Sequence, residues 1–300
     1  MTDYCYYKLF ENCISLKNAP ALSATSLADS CYRSMFKGCS SLNAMPVLPA
    51  TNLEDNCYYG MFESCTSLSS VMPLIAPSLK FRCYSDMFKG CASLTITPLL
   101  QAIYLNDYCC AGMFENCILL NQVISLPIIN IGDSSSSSSG ENASASNCYE
   151  RMFYGCTSLV NAPLLPSIVL TENCYAYMFY GCTNLVKAPD LPAVNLVNGC
   201  YNYMFYGCNK LNRIQVNFID WNNGNSTVNW VHGVNQSGKF TKHESLDEIY
   251  DDSHIPYNWN IYNVESITNN ILVTDFGNFD MVINTSLKIN GLSNDEIFIE

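Results

Sequence analysis

Cys31-Tyr32-Arg33-Ser34-Met35-Phe36-Lys37-Gly38-Cys39-Ser40-Ser41-Leu42 returns 26 residues later as Cys57-Tyr58-Tyr59-Gly60-Met61-Phe62-Glu63-Ser64-Cys65-Thr66-Ser67-Leu68. The phrase occurs in eight copies, opening at Cys5, Cys31, Cys57, Cys83, Cys109, Cys148, Cys174 and Cys200, so every step is 26 residues except one of 39. A fixed period of this length marks a solenoid, in which each unit buries its apolar side only against its neighbours. The long step contains Ser134 to Ser139 and the pattern resumes unchanged after it, so residues 132–144 are expected to be a surface loop.

Counted from the first cysteine of a copy as zero, the recurrent apolar residues fall at offsets 0, 1, 4, 5 and 8. At about 100° per residue these lie on one arc roughly 140° wide, which predicts a two-turn helix, residues 31–39 being an example. Asp29-Ser30 and Asp55-Asn56 precede it as caps, and Gly38, Gly90 or Asn116 at offset 7 suits the left-handed turn that ends a helix. Leucine follows at offset 11 in every copy and proline commonly at offset 15, as in Leu16 with Pro20 and Leu185 with Pro189. This part is too short and proline-broken for helix and predicts a short strand pairing in parallel with its neighbour. The expected fold is an α/β solenoid, a leucine-rich-repeat arc of eight strand-plus-short-helix repeats over residues 1–217. A C-terminal cap at 218–264 and a small β unit at 265–300 would follow. In that last piece Ile271-Leu272-Val273, Met281-Val282-Ile283 and Ile297-Phe298-Ile299 are the strand signals.

Met-Phe-x-Gly-Cys-x-Ser-Leu followed by Ala-Pro-x-Leu-Pro-Ala resembles the BspA-like leucine-rich repeats of surface proteins of anaerobic bacteria and of proteins of their phages. The resemblance covers residues 1 to about 217, and residues 229–261 look like the segment that often closes such arrays. It implies adhesion or protein recognition without catalysis, and it names no ligand. Two function classes follow from it. One is a non-enzymatic recognition or adhesion protein binding protein or glycan at a cell surface; the other is a structural component of a phage particle, a head or tail appendage.

Composition narrows the choice. With 14 basic against 26 acidic residues the formal net charge is −12, which predicts no nucleic-acid partner and no anionic-membrane partner. No run approaches the roughly 18 apolar residues of a membrane span. The N-terminus, Met1-Thr2-Asp3-Tyr4-Cys5, lacks a signal-peptide pattern, so synthesis in the cytoplasm is expected, with a final location on an extracellular surface or in a virion. Seventeen cysteines suggest disulfides or metal. Yet cysteines eight apart on a helix stand about 12 Å apart, too far to bond, and there is no Cys-x-x-Cys. The expectation is two columns of reduced thiols acting as small hydrophobes, with no metal and no cofactor.

The variable columns carry the functional expectation. At offset 6 the first five copies read Glu11, Lys37, Glu63, Lys89 and Glu115, a ridge of alternating charge; the last three read Tyr154, Tyr180 and Tyr206, and offset 3 adds Tyr177 and Tyr203. These five tyrosines are the candidate binding surface, because aromatics with a polar tip are enriched at interfaces. The alternative is that the rings simply lie over neighbouring units. The outward strand positions Asn18, Ala44, Ser70, Gln122, Asn161, Lys187 and Arg213 share no chemistry and predict no pocket. Residues 242–254 gather Glu244, Asp247, Glu248, Asp251, Asp252 and two histidines, with spacing that favours a solvated acidic loop over a divalent-ion site. No catalytic motif is present, His232, His243 and Asp252 having no catalytic spacing, so no enzyme is expected. Only four residues precede the first copy, which predicts an uncapped edge covered by a second copy or a larger assembly.

Overall fold

The computed structural model describes residues 1–127, 145–165, 167–222, 225–271 and 283–289, with residues 265–271 and 283–289 as backbone. The copies stack in register, each against the next. The expected helix is absent: among the described residues there is no α-helix, and each Cys-to-Cys segment is a run of consecutive turns. The backbone shows why. A residue with positive φ recurs at every fourth position, offsets −1, 3 and 7, as Asn56 (57°), Gly60 (57°) and Ser64 (61°) in the third copy. A left-handed residue cannot continue a right-handed helix.

The amides then divide their hydrogen bonds between two partners. Met61 N–H donates to Tyr58 C=O (3.1 Å), Glu63 to Gly60 (3.1 Å) and Cys65 to Phe62 (3.0 Å), closing turns within the copy. The residues between them donate forward to the next copy: Tyr58 to Cys83 (3.1 Å), Gly60 to Ser85 (2.9 Å), Phe62 to Met87 (2.9 Å) and Ser64 to Lys89 (2.7 Å). A nine-residue helix would leave most of its end groups unpaired. The turn ribbon satisfies them by tying each copy to its neighbour.

The buried set is the one the apolar pattern indicates. Cys57, Tyr58, Met61, Phe62 and Cys65 are all at most 1% exposed, and the same five positions are buried in most other copies. Phe10, Phe36, Phe62, Phe88, Phe114, Phe153, Phe179 and Phe205 form one stacked column with centroid spacings of 5.5 to 5.8 Å. Phe114 and Phe153 keep the same spacing, 5.7 Å, across the 39-residue step, so the array is continuous there. The inserted segment itself, residues 132–144, lies outside the described residues.

The expected strand is reduced to single parallel bridges, Asn18 to Ala44 to Ser70, Ile96 to Gln122, and Asn161 to Lys187 to Arg213. Proline at offset 15 removes the donor that would extend them, as at Pro46, Pro98 and Pro189. Met72 and Ile124 stand at that offset in the third and fifth copies, which still form only single bridges, and the first true strand appears in the eighth copy, where the offset holds Gln215. β1 (Arg213–Gln215) pairs in parallel with β2 (Lys239–His243), β2 in parallel with β3 (Asn260–Ile271), and β3 antiparallel with β4 (Ile283–Ile289). β3 and β4 thus extend the array's own sheet; Leu272, Val273, Met281, Val282 and residues 297–299 lie outside the described residues.

Residues 226–234 continue the turn ribbon as a ninth copy without cysteine. Tyr201, Tyr203, Phe205 and Gly207 donate to Ser226, Val228, Trp230 and His232, each at 2.8 or 2.9 Å, and Asn229 and Gly233 hold the left-handed positions. Trp230, wholly buried, stands where the earlier copies place methionine.

A helix and a turn ribbon differ in the sign of one substitution. Gly60→Ala would stabilise a helix by about 1 kcal/mol. Because Gly60 has φ of 57° and a Cβ there would meet Glu63 Oε2 at 3.2 Å, the variant is expected to lose about 1–2 kcal/mol in urea unfolding, with Gly60→Asn losing less.

Candidate functional site

The five tyrosines named from the sequence come together as two columns on the outside of the turn ribbon. Tyr154, Tyr180 and Tyr206 stack face to face at 4.6 Å between centroids, with interplanar angles of 6° and 2°. Tyr177 and Tyr203 stack beside them at 4.7 Å and 3°. The columns touch, Tyr177 lying 6.1 Å from Tyr180 and Tyr203 6.0 Å from Tyr206. All five are half-buried. The rings therefore cover one another's faces and leave part of each side chain open to solvent.

Each end of the longer column has a polar terminus. The Arg151 guanidinium lies 5.0 Å from the Tyr154 ring centre and also binds Glu115 at 2.9 Å. At the other end His232, from the ninth copy, stacks on Tyr206 at 4.5 Å and pairs through Nδ1 with Asp252 Oδ2 at 2.8 Å. The Asn229 amide donates to the Tyr203 hydroxyl at 3.4 Å. His232 and Asn229 belong to this surface and were missed in the sequence because the ninth copy lacks the cysteines that mark the others. Trp230-Val231-His232-Gly233, 26 residues after Met204-Phe205-Tyr206-Gly207, was the signal that could have found them.

Burial first, and then the neighbouring phenols, push the pKa of both Tyr177 and Tyr180 above the ordinary phenol value, with Tyr203 beside the first and Tyr154 beside the second. Both phenols stay protonated at neutral pH and present neutral hydroxyls. Tyr177 and Tyr203 also sit at left-handed positions, φ 57° and 56°, where the third and fifth copies use Gly60 and Gly112. An aromatic there costs more than glycine, so the stacking has to offset that cost.

The charged ridge pairs as Lys37 with Glu63 at 2.8 Å and Lys89 with Glu115 at 3.2 Å, while Glu11 turns to Lys8 within its own copy at 3.2 Å. Glu115, almost fully buried, takes both Lys89 and Arg151, and so joins the charged half to the tyrosine half. Two carboxylates of the acidic loop pair within it: Asp251 holds His254 at 2.7 Å, and Glu248 lies 3.6 Å from the buried Lys242 and accepts from the Tyr250 hydroxyl at 3.2 Å. Among the described residues no group of three or more His, Cys, Asp or Glu is arranged to hold a metal ion. His243 contributes only a local turn, its Nδ1 accepting from Ser245 N–H at 3.1 Å.

All seventeen cysteines are free, and their role goes beyond filling space. The Cys65 thiol donates to the Phe36 carbonyl of the preceding copy at 3.1 Å, and Cys91, Cys117 and Cys182 do the same to Phe62, Phe88 and Phe153. That carbonyl already accepts its own copy's Cys N–H, for example Cys39 to Phe36 at 3.0 Å, so the thiol fills its second lone pair. Cys57 and Cys83 make the equivalent bonds to Ala28 and Glu54. Desolvation pushes the Cys57, Cys65, Cys117, Cys174, Cys182 and Cys200 thiols up to about 12, which removes them as nucleophiles at neutral pH.

The model of the BspA type leucine rich repeat region matches residues 3–141 and 137–223, with six copies. The chain belongs to the BspA-type leucine-rich-repeat family. No curated protein matches it. The family match ends at residue 223, whereas the BspA-type backbone register runs on through the ninth copy and into β2. Among the described residues no helix is long and apolar enough to cross a membrane.

Two outcomes follow for the thiols. Iodoacetamide at neutral pH is expected to label Cys13, which is exposed, and Cys5, whose pKa the Thr2 hydroxyl lowers, and to reach the buried cysteines only in denaturant, as read by mass spectrometry. Since six buried thiols, Cys57, Cys65, Cys117, Cys174, Cys182 and Cys200, are raised from 9.0 to about 12, the unfolded chain ionises first; stability is level below pH 9 and falls above it by up to about 1.4 kcal/mol per pH unit for each such thiol. Circular dichroism is expected to show cooperative alkaline unfolding.

Proposed function

We propose that this chain is a non-enzymatic recognition or adhesion protein whose tyrosine columns bind protein or glycan at a cell surface. The observation that carries the reading is the pair of half-exposed stacks, Tyr154-Tyr180-Tyr206 and Tyr177-Tyr203, closed by Arg151 and His232. Stacked rings already hold their rotamers, so a partner docking on them loses little side-chain freedom. Their hydroxyls offer donors and acceptors without charge, which suits a partner facing a protein of net charge −12. Neither nucleic acid nor membrane insertion enters this reading.

The array supplies its own fold-preserving replacements. Tyr177→Gly and Tyr203→Gly restore the residue used at Gly60 and Gly112; Tyr180→Lys and Tyr206→Glu restore the pairing used at Lys37 and Glu63. The fourfold variant is expected to unfold like wild type and to bind at least about tenfold more weakly in a protein, glycan and host-cell screen. Equal binding by both would remove the tyrosine columns from the account.

A second part of the proposal concerns the first copy. Tyr4, Tyr6 and Leu9 are each about half exposed, and Cys13 is exposed, whereas their counterparts further along are shielded by a preceding copy. In later copies the carbonyls of Asp29, Arg33, Met35 and Lys37 accept from the preceding ribbon. We propose that a second copy of the chain or a larger assembly covers this edge. Light scattering is expected to give a mass above one chain; a stable monomer at high concentration would count against it.

A further inference from the structure

The sheet beyond the eighth copy carries chemistry that the repeat columns do not. Register sets Lys187 opposite Arg213 and Arg213 opposite Lys239, so three cations stand in one column on successive parallel strands, whose spacing is about 4.8 Å. In earlier copies the same column holds Asn18, Ala44, Ser70, Ile96, Gln122 and Asn161, none of them charged. Two residues further on, Gln215, Thr241 and Tyr262 form the neighbouring column.

Between these columns lies a cavity of about 320 Å³, lined by both and by Asn263. Lys239 Nζ sits 3.9 Å from the centre of the Tyr262 ring. Lys187 is partly neutralised by Asp190 at 3.3 Å, while Arg213 and Lys239 form no ion pair among the described residues. Like charges on facing strand positions repel one another. In a chain with 26 acidic and 14 basic residues, three adjacent cations around a cavity are a departure that an anion would relieve.

We propose that this groove binds an acidic polysaccharide, with its carboxylate or sulfate groups on the column of Lys187, Arg213 and Lys239 and its hydroxyls on Gln215 and Asn263. The polar lining between the charges favours a chain whose anionic groups are separated by hydroxyls. A DNA backbone has no free sugar hydroxyls between its phosphates, so it would leave Gln215 and Asn263 without partners. The inference shares with the proposed function only the premise of a binding protein; its residues and those of the tyrosine columns do not overlap.

The test is calorimetry at low salt on the full chain with four probes: a galacturonic acid hexamer, a sulfated heparin hexasaccharide, a neutral hexasaccharide and a single-stranded DNA of equal charge. Wild type is expected to bind one or both acidic sugars, and the two acidic arms separate carboxylate from sulfate. Lys187→Gln, Arg213→Gln and Lys239→Gln combined, all exposed and expected to leave the melting temperature unchanged, should weaken that binding by at least about tenfold. Tyr177→Gly with Tyr203→Gly should not change it. Equal binding by wild type and the triple variant, no binding of either acidic sugar, or DNA bound as tightly would each overturn the proposal.

Discussion

The structure depends on how alternate backbone amides are shared between neighbouring copies. In each turn ribbon one N–H closes a turn and the next reaches the following copy, from Tyr4 to Asp29 at the start through to Gly207 and His232. This sharing fixes the period, because a copy lengthened on the ribbon would misalign its donors. It also explains why the long step can hold extra residues only outside the ribbon: Gly112, Phe114 and Asn116 still donate to Glu150, Met152 and Tyr154. The buried columns follow from that register. Phe stacks on Phe and each thiol meets the preceding carbonyl because the backbones are aligned first.

The repeat length, the stacking and the buried positions could be read from the residues; the local conformation could not. Apolar residues at offsets 0, 1, 4, 5 and 8 fit a 3.6-residue helix and a four-residue turn equally well over nine residues. What separates them is the left-handed position at offsets −1, 3 and 7, and its sequence signal is diluted. Gly60, Gly112 and Asn56 suit it, but Arg151, Tyr177 and Tyr203 occupy it too. Gly60 and Gly112 inside a supposed helix were the clearest warning. The thiol bonds were unreadable for a related reason, since they join residues 29 apart whose approach depends on the turn geometry.

The tyrosine columns were legible as positions but not as an arrangement. Offsets 3 and 6 placed them on one side, whereas the face-to-face stacking and the closure by His232 require the ninth copy, hidden by its missing cysteines. The cationic groove was less legible still. Lys187 and Arg213 looked unrelated to the rest of their column, and only the parallel register of β1 with β2 brings Lys239 beside them. Both surfaces therefore lie where the repeat departs from its own consensus, at the C-terminal end of a scaffold that the consensus holds rigid.

The most direct measurement of the shared-amide scheme is trans-hydrogen-bond scalar coupling in the labelled protein. The account predicts a coupling from the Phe62 amide nitrogen to the Met87 carbonyl carbon of the next copy, and from the Met61 nitrogen to the Tyr58 carbonyl. A coupling from Phe62 to the Tyr58 carbonyl, four residues back, would show a helix and contradict it.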